Sequence, residues 1–377
     1  MDLTLCLIVK NEMAFLDGCL RSVRDLVDQV VIVDTGSTDG TAERARTAAD
    51  VFAAVEFTGD FSAARNAALE RADGEWILFL DADERLPATQ HDLLRQHLST
   101  VDSGVLGTRL MRYNFFATGG FYTGRELKVF RNRAGLRYRR PINESVAASI
   151  QELGGEVASA PVVMNHFGHC RSVSARDAKA HRYIASMTEH LEQQPNDAVV
   201  LGYLGLIARI FGEFDKALDR SARAVDADAT SATVWFFRGH VLRSVGDDRG
   251  ALEAYERGAT LAPGHAGLRN MIGVQLLALK DTNGAARSFD AARELDPQLL
   301  HTDINLALVA QAEERWADAV RLLTRAGEAN DGFWHDEWRG RVERDPFRPF
   351  YYETIFGYAG LGYHLGYCQL RAAGQPA

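Results

Sequence analysis

The chain has 377 residues, 46% of them hydrophobic and 25% charged, with a formal net charge of −9 at pH 7. That length suggests two or three domains, each able to bury a core, and the acidic balance argues against a general polyanion binder, so no nucleic-acid partner is expected. No segment approaches about eighteen uninterrupted apolar residues, and the start Met1-Asp2-Leu3-Thr4 lacks a basic leader, which predicts a cytoplasmic protein with no integral membrane segment.

The first half alternates strand and helix. Leu3 to Val9 reads as a continuous apolar strand with Lys10-Asn11-Glu12 after it, and Leu16, Leu20, Val23 and Leu26 have helical spacing within Phe15 to Leu26. Val30 to Val33 is a second buried strand, ending at Asp34 and followed by the turn-rich Thr35-Gly36-Ser37-Thr38-Asp39-Gly40 and a helix from Thr41 to Ala49. A short strand over Val51 to Phe57, a helix over Ser62 to Arg71 and an apolar strand from Trp76 to Leu80 complete the pattern. Repeated βα units predict a parallel, doubly wound sheet. Asp102 to His169 is mixed in pattern and carries several polar clusters. Cys6, Cys19, Cys170 and Cys368 are scattered without C-x-x-C spacing, so buried thiols are expected rather than disulfides or a cysteine zinc site.

The second half is a repeat. Gly205, Gly239 and Gly273 are separated by 34 residues, and Ala217, Ala251, Ala285 and Ala319 keep the same period. Around Gly239, the positions of Trp235, Ala251, Tyr255 and Pro263 follow the tetratricopeptide pattern, and Gly273, Ala285, Phe289, Ala292 and Pro297 continue it. Four units are expected, over 196–229, 230–263, 264–297 and 298–331. Small residues let paired helices approach while aromatics fill the space between units. After them, Phe333 to Tyr367 is rich in aromatics and glycine and reads as a terminal cap or a homodimer contact. The expected organisation is an α/β domain over 1–170, a connecting helix or linker over 171–195, repeats over 196–331 and the cap over 332–377.

The chemistry concentrates where the Trp76 strand ends in Asp81-Ala82-Asp83-Glu84. Open α/β sheets bind ligands at the carboxyl ends of their strands. Residues i and i+2 of an extended segment share a face, so Asp81 and Asp83 could reach one divalent cation whose shell diphosphate oxygens complete. A strand that simply ends in polar loop residues would look the same. Asp34, at the end of the neighbouring strand, can accept from a nucleobase imide or a ribose hydroxyl, or cap the turn before Thr41. Asp60 stands ahead of a helix that projects Arg65 and Asn66, and Arg65 can pair with a diphosphate or with an acid such as Asp81.

In order, Leu5 to Glu12, Val31 to Asp39, Asp60-Phe61-Ser62-Ala63-Ala64-Arg65-Asn66 and Asp81-Ala82-Asp83-Glu84-Arg85-Leu86 resemble the motifs of family 2 glycosyltransferases. The chain is similar to the branch that joins such a domain to tetratricopeptide repeats, which includes lipopolysaccharide-core sugar transferases and S-glycosyltransferases of peptide bacteriocins. The resemblance implies a GT-A nucleotide-diphosphate-sugar fold followed by an all-α repeat domain, inverting transfer of a hexose, a Mn²⁺ or Mg²⁺ ion and a UDP-sugar donor. It places Val9, Asn11, Glu12, Asp34, Gly36, Ser37, Asp39, Asp60, Arg65, Asp81, Ala82 and Asp83 around the donor. Asp83, Asp81 and His166 are then the metal set, with His169 as a substitute, and Glu144 is the catalytic base. Here Asn143 stands where the branch usually has a histidine before that glutamate. Glu144 could instead pair with Arg139 or Arg140, while Arg125 and Lys128 are further phosphate or acceptor contacts. A peptide or protein acceptor gripped by the repeats is the expected partner, with a saccharide or lipid-linked acceptor and a non-enzymatic scaffold as alternatives.

Overall fold

The computed structural model describes residues 2–116, 121–139, 144–170, 181, 184–185, 187–334 and 361–375. It divides into two compact units, one of Met1–Asn114 with Thr123–Gly168 and one of Phe115–Tyr122 with His169–Ala377.

The first unit is built on a sheet whose strand order is β3-β2-β1-β4-β7-β6-β8-β5. Its centre is β1 (Leu3–Val9), paired in parallel with β2 (Gln29–Asp34) on one side and β4 (Trp76–Phe79) on the other. β3 (Val51–Ala54) adds a parallel edge to β2. Strands buried on both faces need near-continuous apolar sequence, which Leu-Thr-Leu-Cys-Leu-Ile-Val and Trp-Ile-Leu-Phe supply. Alternation puts Cys6, Val31, Val33, Ile77 and Phe79 in one core with Ala68 of helix α3 (Phe61–Leu69), and Phe130, Tyr138 and Ile150 join them. Asp60 starts α3 by accepting from the Ala63 N–H at 3.1 Å. Helices α1 (Leu16–Val23) and α2 (Thr41–Ala48) fill the other crossovers.

The expected all-parallel sheet holds for only half of it. β7 (Phe121–Arg131) runs antiparallel to β4, with Ile77 opposite Phe130, and the short β5 (Glu84–Arg85) runs antiparallel to β8 (Glu156–His169). β6 (Val105–Phe116) and β7 are neighbours, and β7 starts five residues after β6 ends. A connection that short leaves no room for the crossover that parallel neighbours need. Helices α4 (His91–Thr100) and α5 (Ala147–Glu152) complete this unit.

In the second unit four helix pairs follow one another: α6 (Ala198–Ile210) with α7 (Phe214–Ala227), α8 (Ala232–Ser244) with α9 (Asp248–Leu261), α10 (Ala266–Ala278) with α11 (Thr282–Leu295), and α12 (His301–Ala312) with α13 (Trp316–Ala329). The second helices begin at 34-residue intervals, the period read from the sequence. Its physical cause is visible at the glycines. A Cβ on Gly239 would stand 2.5 Å from Tyr255 Cε1, and one on Gly273 would stand 2.5 Å from Phe289 Cε1, so the aromatic of each pair occupies the space a larger residue would need. Asp247 and Asp281 cap α9 and α11 by accepting from the N–H groups of Gly250 and Gly284. Phe121, Phe333 and His301 form an aromatic cluster in the same unit. A final helix, α14 (Leu361–Ala372), lays Tyr367 edge-on against Trp316 and Arg371 over the same ring. Residues 187–193 of the expected linker are helical, whereas 171–180 of it and 335–360 of the aromatic segment lie outside the described residues.

Candidate active site

The carboxyl ends of β1, β2 and β4 bring the motifs together. Val9 is paired with Asp34 across β1 and β2, and its carbonyl accepts from the N–H and hydroxyl of Thr35 at 2.9 and 3.1 Å. Asp34 is 3% exposed; its Oδ1 accepts from the N–H groups of Gly36 and Ser37 at 2.9 and 3.0 Å. Gly36 has φ of 95°, a conformation glycine adopts without steric cost. The other oxygen, Asp34 Oδ2, is buried with no hydrogen-bond partner among the described residues. A buried carboxylate oxygen left unpaired is costly, and a ligand N–H or hydroxyl would satisfy it.

Asn11 and Asp39 fasten the two loops to each other. Asn11 has φ of 57°, donates its N–H to Ser37 Oγ at 3.0 Å and accepts from the Thr38 N–H at 2.7 Å. The Glu12 N–H donates to Thr41 Oγ1 at 2.8 Å, and that hydroxyl donates to Asp39 Oδ1. Asp39 also accepts from the Met13 N–H at 3.4 Å. These residues shape the rim, whereas Asp60 is spent on capping α3.

Asp81 and Asp83 do not lie along an extended strand as the i, i+2 reading expects. β4 ends at Phe79, and the Glu84 N–H donates to the Asp81 carbonyl at 2.9 Å, closing a turn around buried Ala82. The turn sends the two carboxylates to different partners. Asp81 accepts from Arg65 at 2.9 Å and from Lys128 at 3.3 Å. Desolvation pushes its carboxyl up, but Lys128 and Arg65 outweigh that and hold it well below the usual carboxylate range. Asp83 instead faces His166, with Oδ1 3.5 Å from Nε2. His166 Nδ1 lies 2.8 Å from Oδ1 of buried Asn114, a contact that favours the tautomer protonated at Nδ1.

This donor set fits a divalent ion. Gly168 leaves open the place where a Cβ would come 2.5 Å from His166 Nε2 and 2.7 Å from Asp83 Oδ2. Among the described residues no group of three or more His, Cys, Asp or Glu side chains is placed to hold a metal, so Asp83 and His166 would be only part of its shell. His169, the substitute ligand, is engaged elsewhere: it stacks on Phe116 and meets the Tyr122 hydroxyl at 3.2 Å.

Glu144 is paired with Arg65, and Arg139, one of its two alternative partners, turns elsewhere. Arg139 reaches Glu152 at 3.0 Å, and Glu144 accepts from Arg65 Nε at 2.7 Å; Arg140 and Asn143 lie outside the described residues. Arg65 therefore bridges Glu144 and Asp81, its guanidinium stacked over Phe79 and Tyr138. Asn66 holds Tyr138 in place by exchanging hydrogen bonds with its backbone at 2.8 and 3.1 Å.

Sequence reasoning missed Asn114, Arg112 and the role of Glu84. Arg112 and Asn114, polar residues within the largely buried Val105–Phe116 strand, were the available signal.

Residues 4–146 match the model of glycosyl transferase family 2. A TPR repeat-containing protein of Synechococcus elongatus is 35% identical over 210 residues, 54% of this chain and 51% of the relative. The lipopolysaccharide core biosynthesis glycosyltransferase LpsC of Rhizobium meliloti is 32% identical over 141 residues, 36% of this chain and 51% of that one. The prophage-derived glycosyltransferase SunS of Bacillus subtilis is 24% identical over 226 residues, 59% of this chain and 53% of SunS. The chain thus spans about half the length of the curated relatives it matches. Residues 4–146 thus match glycosyl transferase family 2, with the motifs gathered at the strand ends of a GT-A-like sheet, and a 34-residue helical repeat of tetratricopeptide type follows in the sequence.

Proposed function

We propose that the protein is an inverting, metal-dependent glycosyltransferase that moves a hexose from a UDP-sugar to a peptide or protein acceptor held with help from the repeats. The observation that carries this reading is the convergence, within a family 2 domain, of a buried unpartnered Asp34 oxygen, the Asp83–His166 pair and the Arg65–Glu144 pair. Asp34 Oδ2 would accept from the uracil imide or a ribose hydroxyl. Asp83 and His166 would hold a Mn²⁺ or Mg²⁺ ion, which when bound neutralises charge on the departing diphosphate. Asp81, fixed by Arg65 and Lys128, would line the ribose side. Glu144 would take the acceptor's proton as its oxygen or sulfur attacks the anomeric carbon opposite the diphosphate, the new glycosidic bond forming as the sugar–phosphate bond breaks.

Helical repeats commonly bind extended chains, which supports a peptide acceptor. One cleft of about 600 Å³ lies among α9, α10 and α11, with Arg269, Arg287 and Glu256 on its walls and Ile272 and Leu276 among its apolar lining. Mass spectrometry of candidate acceptors incubated with the protein, Mn²⁺ and a mixed sugar-nucleotide pool tests the reading: one mass shift identifies both sugar and acceptor. A shift on a saccharide alone would replace the peptide acceptor. Intact sugar nucleotides across the pool, with no donor binding by calorimetry, would overturn the proposal.

A further inference from the structure

Glu84 follows the Asp81–Asp83 turn and is fully buried, yet the chemistry above does not use it. Its carboxylate gathers three donors: the Asp81 N–H at 2.9 Å, Lys128 Nζ at 2.6 Å and Arg112 NH1 at 3.3 Å. Burial, opposed by Lys128, leaves its carboxyl raised. A carboxylate removed from water is tolerated only when charge and hydrogen bonds replace its hydration, and here both are supplied.

The backbone of the same residue has a second task. Glu84 is paired with His166 in the β5–β8 ladder, and the next residue on β8, Phe167, donates its N–H to the Asp83 carbonyl at 2.8 Å. Glu84 thus grips the start of the turn through its side chain and the histidine strand through its main chain. Asp83 lies between those two attachments. Its side chain stands 3.5 Å from His166 Nε2, with the Asp83 carbonyl tied to β8 and His166 Nδ1 tied to Asn114. Lys128 and Arg112 come from β7 and β6, so the antiparallel half of the sheet is what holds the turn that ends the parallel half.

We infer that Glu84, anchored by Lys128 and Arg112, is a positioning residue that presets Asp83 and His166 for a divalent cation carrying a nucleotide diphosphate. The inference rests on the glycosyltransferase reading for the identity of that ligand, and on the geometry alone for the positioning. A methionine or a leucine in place of Glu84 would leave the Asp81 N–H without its acceptor and Lys128 with only its 3.3 Å contact to Asp81.

Glu84→Gln keeps the shape and one acceptor oxygen but removes the charge and sets an amide NH₂ against Lys128 or Arg112. Two measurements on the full chain decide the matter. Mn²⁺ binding in the presence of UDP, read by electron paramagnetic resonance, is expected to weaken at least ~10-fold, the size of effect that groups orienting metal ligands have elsewhere. Amide hydrogen exchange at Asp81 and Phe167 in the metal-free protein is expected to speed up by a similar factor while β1 stays protected. If Glu84→Gln does not fold, Arg112→Gln, which removes the longest of the three contacts, takes its place with a severalfold effect expected on both readouts. Unchanged exchange at both amides, or Mn²⁺·UDP affinity within ~2-fold of the parent, overturns the positioning role. A parent protein that takes up no Mn²⁺·UDP overturns the donor reading instead, and exchange alone then decides the positioning.

Discussion

Replacing Arg65 by methionine removes the one cation that joins Asp81 to Glu144 while keeping a chain of comparable length against Phe79 and Tyr138. The Glu144 contact, 2.7 Å between side chains only 11% and 14% exposed, is a charge-assisted bond in a largely dry setting, worth about 2 kcal/mol. The Asp81 contact, at 2.9 Å, is screened because that carboxylate is 36% exposed and keeps Lys128, so it adds about 0.5 kcal/mol. Lost stacking of the guanidinium at 4.6 Å over Phe79 adds about 0.5 kcal/mol. The expected destabilisation of the sheet unit is therefore about 3 kcal/mol at pH 7. Desolvation alone would raise Asp81, yet Lys128 and Arg65 lower it, so its share of the stability is present above the unfolded value of about 3.9 and is lost as pH falls through the depressed folded value. The gap between parent and variant should thus shrink in acid. Urea unfolding followed by exchange protection of β1 and β4 amides, at pH 7 and again in acid, measures both. A loss below about 1 kcal/mol at pH 7, or a gap independent of pH, would refute the bridge as a stabilising element.

Further outcomes concern the repeats and the metal pair. His301 is fully buried and burial pushes its imidazole down to about 3, so the unfolded chain takes a proton below about pH 6.5 that the folded state refuses. Stability of the repeat unit should fall by about 2 kcal/mol from this group between neutral pH and about pH 5, and His301→Phe should remove that part of the slope in urea titrations; an unchanged slope contradicts it. Gly273→Ala brings a Cβ to 2.5 Å from Phe289 Cε1 and should cost about 1–3 kcal/mol in thermal unfolding, part of which a second change, Phe289→Leu, restores. Strictly additive losses would mean the two residues do not share that space. Asn114→Leu leaves His166 without its acceptor and should weaken Mn²⁺·UDP binding about 10-fold or more in calorimetry; unaltered affinity would remove Asn114 from the site.

What could be read in advance follows the range of the interactions. Strands β1, β2 and β4 announce themselves because both faces are buried and nearly every residue must be apolar. The repeats do so because a glycine facing an aromatic recurs in phase, as at Gly239 with Tyr255 and Gly273 with Phe289. Asp34 was legible as a strand-end carboxylate, and the structure adds its unpartnered Oδ2. The geometry around Asp81 was not, because alternation holds only while the chain is extended, and the hydrogen bond from Glu84 to Asp81 bends it into a turn. Partners set by the sheet were equally hidden: Asn114 reaches His166 across 52 residues, Lys128 reaches Glu84 across 44, and Arg65 reaches Glu144 across 79. Local pattern points Glu144 at Arg139 and Arg140, whereas the fold gives it a cation from α3. The antiparallel half of the sheet carried no repeating signal, since its strands alternate less regularly and depend on neighbours distant in sequence.

In the proposed function Asp83 serves the departing diphosphate of a sugar nucleotide. The most direct test of that role is release of UDP from a panel of UDP-hexoses in the presence of Mn²⁺, compared between the parent protein and Asp83→Asn at matched thermal stability. Mn²⁺-dependent release by the parent should fall about 100-fold or more in the variant, the scale expected when an electrostatic contact to the leaving group is removed. Equal release by both proteins, or release by the parent that ignores Mn²⁺, would contradict it.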